Sequence, residues 1–191
     1  MIGVALATLL LGLSACGGSD GDKADPKPTK TSESPTPATP AQPEGADGVT
    51  VDIANWDAYA DDPAVLAWKQ ATEAINASAN ERKVVPTLRK TLSKKLLRKY
   101  VGNIKLAWKN DWHVSSVVSA KVDRSRPSGS QTQLVVCAWA PSETFRKKNG
   151  AMVIKPDQKW NRKTVEVKPV GSTWVVTSLT TKGTCTGGAP A

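Results

Sequence analysis

Asp111 and His113, two positions apart, are the residues in this chain best placed to do acid/base chemistry together. An imidazole can take or give a proton near neutral pH, and a carboxylate beside it can orient the ring and stabilise its charged form. Side chains two apart on a strand share a face, so Asp111 and His113 would point the same way on either side of Trp112, and the three form a candidate pocket. The competing reading is a polar loop leading into a strand, which Lys109 and Asn110 just upstream favour. There is no second histidine, no nucleophile motif and no Gly-rich phosphate loop to complete a catalytic set. Catalysis is therefore not expected, and neither is a cofactor. One histidine and the absence of any CxxC leave too few soft ligands for a metal.

The N-terminus is more informative. Residues 1–15, MIGVALATLLLGLSA, hold no charge and are mostly Leu, Ala, Val, Ile and Gly. Crossing a bilayer takes about 20 apolar residues, so a run this short fits the apolar core of a secretory signal peptide instead. Small residues then lead into Cys16 as Leu13-Ser14-Ala15-Cys16, which resembles the lipobox of bacterial lipoproteins. The resemblance implies that Cys16 receives the lipid, becomes the mature N-terminus and anchors the chain at the extracytoplasmic face of the cell membrane. No Lys or Arg precedes the apolar run, a departure from the usual positive start. From Cys16 to Gly48 the chain is rich in Pro, Thr, Ser, Asp and Ala and has almost no large apolar residue. Such a segment buries too little surface to offset chain entropy and reads as a disordered, semi-rigid tether over residues 16–48.

Residues 49–191 are one domain's length. The tether holds three lysines and six acids, so of the chain's 26 basic and 17 acidic side chains the domain keeps 23 and 11, a net charge near +12. A balance this basic attracts polyanions. Outside a bacterium these are anionic lipid headgroups, phosphate-bearing wall polymers or acidic protein partners; nucleic acid is not expected there. The densest basic run lies between Arg82 and Lys99 without an acid, and Lys94, Lys95, Arg98 and Lys99 are the candidate polyanion contacts. The same charges also serve solubility. Cys137 and Cys185 are the cysteines left after Cys16. In an exported, oxidising setting an even pair suggests a disulfide that pins the C-terminus to the core, with two free thiols as the alternative.

The elements that must position these residues follow from pattern. Asp61-Asp62-Pro63 supplies a capping acid and a proline at the first helical position, and Val65, Trp68, Thr72, Ile75 and Ala79 then recur at helical spacing up to a stop near Asn80. Between Glu81 and Asn103 one continuous helix would bring Lys95 and Lys99 onto the leucine face, so two short helices with a break at Thr91 to Lys94 fit better, the second ending at Gly102. From Trp112 the pattern turns to strands: His113 to Val122, a loop at Arg126 to Ser130, and a buried strand from Thr132 to Ala140 stopped by Pro141. Turns follow at Asn149-Gly150 and Pro156-Asp157. Then comes Arg162 to Val170, with Val165 and Val167 on one side, and a Gly171-Ser172 hairpin into Ser172 to Thr181. Helices followed by antiparallel strands predict an α+β fold. Of the seven tryptophans, Trp68, Trp139 and Trp174 suit a core, whereas Trp108, Trp112 and Trp160 neighbour polar sequence and suit a rim.

With the lipobox, the Pro/Thr/Ser tether, the DPAVLAW to INASAN helix, the LVVCAW strand, the Lys147-Lys148-Asn149-Gly150 stretch and the closing hairpin TVEVKPVGSTWVVTSL, the chain resembles small actinobacterial lipoproteins with a nuclear transport factor 2-like (SnoaL-like) cone. The resemblance implies a long helix across a curved antiparallel sheet, enclosing a pocket. The fold hosts isomerases, dehydratases and members without chemistry, so function rests on the site. The expectation is a non-catalytic binding module at the outer face of the membrane, occupied by a partner protein, an envelope polymer or an apolar ligand. A cone enzyme using Asp111 and His113, and a surface structural or immunity protein, are the alternatives.

Overall fold

The computed structural model describes residues 40–45 and 47–190; the expected signal peptide, Cys16 and the expected tether ahead of Pro40 lie outside the described residues. Among the described residues the order is β1 (Thr50–Ile53), α1 (Pro63–Asn80), α2 (Pro86–Thr91), α3 (Lys94–Lys109), β2 (Val117–Ser128), β3 (Gln131–Trp139), β4 (Trp160–Val170) and β5 (Thr173–Cys185). The fold is α+β, with the strands in one sheet ordered β1-β2-β3-β4-β5. The sheet is mixed, and this corrects the all-antiparallel expectation: β1 runs parallel to β2, while the other neighbours are antiparallel. Three helices connect β1 to β2, and so long a crossover brings the chain back in the same direction. Four residues, TVDI, gave too short a signal for β1 to be read from sequence.

α1 starts as its sequence dictates. The Asp62 carboxylate accepts from the amides of Ala64 (2.8 Å) and Val65 (3.2 Å), with Pro63 at the first position. Small alanines on several sides let α1 pack against the sheet and both other helices. The break between α2 and α3 lies where expected, and its cause is the sheet. Leu92 forms a bridge with Val176, and the Ser93 amide donates to the Val176 carbonyl at 2.9 Å before Ser93 caps α3. The end expected at Gly102 is overturned. α3 runs through Gly102 and stops seven residues later, where Asn110 caps it and Asp111 takes a left-handed φ of 54°.

The strands also run longer than expected. β2 continues through Pro127 to Ser128, so Arg126 to Ser128 are strand rather than loop. β1 ends opposite Ala120, which leaves the far side of β2 without a partner strand there and makes a proline tolerable. The β2–β3 and β4–β5 hairpins use the same device, Gly129-Ser130 and Gly171-Ser172, each glycine near φ +60° as a II′ turn requires. Register shifts at Val122/Arg124, Asn161/Lys163 and Glu166/Val167 are bulges, which bend strands and sharpen their twist.

Alternation along β3 divides the sheet's two faces. Leu134 and Val136 join the main core under the helices with Val165, Val167 and Val176. Cys137 and Trp139 point the other way and form a second cluster with Trp160 and Cys185. There Cys137 and Cys185 are disulfide-bonded, and the Trp139 and Trp160 rings meet edge-on at 5.4 Å. Trp160 is therefore buried, not at a rim; its indole N–H donates to the Gly188 carbonyl at 2.7 Å and ties down the C-terminal tail.

Side-chain amides seal the sheet where strands end. Asn55 makes a two-way hydrogen-bond pair with the backbone of Val122, and Asn80 does the same with Val114. Gln42 donates to Val51 and accepts from Ile53 along the outer edge of β1, while Pro40 accepts from the Trp56 indole. These bonds join Pro40 and Gln42 to β1 and Trp56.

Candidate functional site

The basic run becomes a surface because α3 is amphipathic in charge. At 100° per residue, Lys94, Lys105, Arg98, Lys109, Lys95 and Lys99 fall within about 140° of the helix circumference. All six are exposed, and among the described residues none is in an ion pair. The helix carries no acid. Lys94 and Lys95 even occupy its first turn, where cations oppose the helix dipole. Leu106 sits within the same sector and is 52% exposed. The structure therefore brings together Lys94, Lys95, Arg98 and Lys99 and adds Lys105 and Lys109. Sequence reading missed the last two because it ended the helix at Gly102, although Arg98, Lys105 and Lys109 keep helical spacing.

The inner side of α3 meets α1 and the sheet around a cavity of about 190 Å³. Ile75 and Ala79 of α1, Ile104 of α3, Val114, Phe145 and Leu179 form its apolar wall. Tyr100, Glu143 and Lys163 also line it, with Asn76 and Asn103. Lys163 lies opposite Val136 and Thr181, on the helix-facing side of β4, and its ammonium pairs with the Glu143 carboxylate from the 3-10 turn after β3. Their side chains are 13% and 20% exposed. Burial, reinforced by the Glu143 charge, pushes the Tyr100 hydroxyl up to about 12, so it is a neutral hydrogen-bond donor at physiological pH. None of these three was singled out from sequence. The signal was parity, since Lys163 shares its alternation with Val165 and Val167 and so had to face inward.

Asp111 and His113 do not form the expected pair on a strand. Asp111 is in the left-handed turn after α3, with its side chain 60% exposed and paired with Arg82 at 2.6 Å. His113 is held by its backbone, which exchanges two hydrogen bonds with Arg146. Neither lines the cavity. Trp112 reaches it indirectly, its ring lying 5.9 Å from that of Phe145.

A second buried ion pair, Lys69 with Glu73, lies on α1. Burial pushes the Glu73 carboxyl above its usual range, while Lys69 and the Val51 amide, at 2.9 Å, pull it back. This pair holds β1 against α1.

Among the described residues no group of three or more His, Cys, Asp or Glu could hold a metal ion, and no helix is long and apolar enough to cross a membrane. No protein-family model, no curated protein and no solved structure matches this chain.

Proposed function

We propose that this protein is a lipid-anchored, non-catalytic binding module of the cell envelope that docks through the outer face of α3 onto the phosphates of anionic lipid headgroups. The observation that carries it is six exposed cations on one face of a helix without an acid. The face is about 24 Å long at 1.5 Å per residue. Each cation at an anionic surface contributes about 1 kcal/mol, so four in contact amount to roughly a thousandfold in affinity. Leu106 favours a bilayer over a soluble polymer, since an exposed leucine among lysines gains by entering the headgroup boundary. The lipobox at Cys16 would keep the domain near such a surface.

We read the architecture as a cone of the nuclear transport factor 2-like kind. Three helices on one sheet face, the bulges in β2 and β5, and a cavity between α1, α3 and the sheet support it.

The test uses the full chain with Cys16→Ser, so that no lipid anchor contributes. Binding to phosphatidylglycerol vesicles, phosphatidylcholine vesicles and soluble polyglycerolphosphate is compared with that of a variant carrying Glu at positions 94, 95, 98 and 99. Binding to anionic vesicles that the variant loses, and that Leu106→Ser weakens, supports lipid docking. Equal binding to the soluble polymer, indifferent to Leu106→Ser, would reassign the face to wall polymer. Absence of binding to every anionic probe would remove the proposal.

A further inference from the structure

The cavity under α3 has an apolar and a polar lining that together specify a ligand. About 190 Å³ is one ring's worth of space, given that a dry cavity of about 150 Å³ accepts benzene. Ile75, Ile104, Phe145 and Leu179 offer it an apolar bed. In its polar lining, Lys163 uses one donor on Glu143 and keeps others, Glu143 keeps a second oxygen, and Tyr100 adds a hydroxyl. Thr72 is already spent, its hydroxyl donating to the Trp68 carbonyl at 3.0 Å. Donors and an acceptor therefore stand together, and their charges cancel. A ligand with its own charge would compete for one partner and leave the other, largely buried ion uncompensated, which is disfavoured. A hydroxyl or carboxamide satisfies both kinds of partner without a net charge.

We infer that this cavity is a binding site for an uncharged single-ring molecule bearing one hydroxyl or carboxamide, held at that group by Tyr100, Glu143 and Lys163. The site faces the inner side of α3 and stands independently of docking through the outer side.

The experiment is titration calorimetry of the full chain with phenol, benzamide, benzoate and benzylamine, repeated on Tyr100→Phe and on Ala79→Phe, which fills the cavity. Far-UV circular dichroism confirms that each variant is folded. Phenol and benzamide are expected to bind, with benzoate and benzylamine weaker by about tenfold or more. Tyr100→Phe should lower phenol and benzamide affinity by about tenfold, and Ala79→Phe should abolish binding. If Ala79→Phe unfolds the chain, Tyr100→Phe alone decides. Failure of the folded wild type to bind either neutral probe would overturn the inference. So would benzoate or benzylamine binding as tightly as benzamide, or phenol and benzamide affinities indifferent to Tyr100→Phe.

Discussion

Changing Glu73 to Gln isolates the charge of a buried pair from its hydrogen bonding. Lys69 and Glu73 side chains are 1% and 3% exposed, and Glu73 also accepts from the Val51 amide, so the pair joins α1 to the short edge strand β1. Glutamine keeps an oxygen for Val51 but leaves the Lys69 ammonium buried without its counter-charge. Removing one partner of such a pair costs about 3–5 kcal/mol. In a domain of this size each kcal/mol moves Tm by about 2–4 °C, so Glu73→Gln should lower it by roughly 6–20 °C. The double variant Lys69→Met with Glu73→Gln replaces the cation by an unbranched apolar chain and should recover most of that loss, since neutral replacement of a buried pair is often close to neutral in stability. Urea unfolding of the wild type, both single variants and the double variant gives the coupling energy. The reasoning fails if Glu73→Gln costs less than about 1 kcal/mol, or if the two single effects simply add.

The disulfide and α3 carry further expectations. The Cys137–Cys185 bond closes 48 residue steps, so its removal by Cys137→Ser with Cys185→Ser should cost about 4 kcal/mol, seen as a lower urea midpoint. A Cβ at Gly102 meets nothing within 4 Å, so Gly102→Ala should stabilise α3 by about 0.5–1 kcal/mol in thermal melts.

How far the sequence disclosed this molecule varies with the range of the forces involved. Local chemistry was legible. Asp62 and Pro63 start α1, Gly171-Ser172 turns the last hairpin, and Val165 and Val167 alternate into the core because caps, turns and strand parity depend on near neighbours. The break before Lys94 was legible too, although the pairing of Ser93 with Val176 that fixes it was not. Gly102 misled because an exposed glycine can sit within a helix whose ends are set by packing. β1 and the amide seals of Gln42, Asn55 and Asn80 depend on partners far along the chain. Asp111 and His113 invited an acid/base reading through spacing alone, which a left-handed turn at Asp111 cancels. Lys163 shows the reverse case, since its parity was visible but its partner Glu143 comes from another element.

The central claim, docking through α3, is tested most directly by vesicle co-sedimentation of the full chain with Cys16→Ser across a salt series. The screening length shrinks from about 10 Å at 0.1 M salt to about 3 Å at 1 M, so attraction between lysines and headgroups should fade over that range. The account predicts binding to phosphatidylglycerol vesicles that weakens steadily with salt and disappears when Lys94, Lys95, Arg98 and Lys99 are changed to Glu. Binding that is indifferent to salt and to these four charges would contradict it.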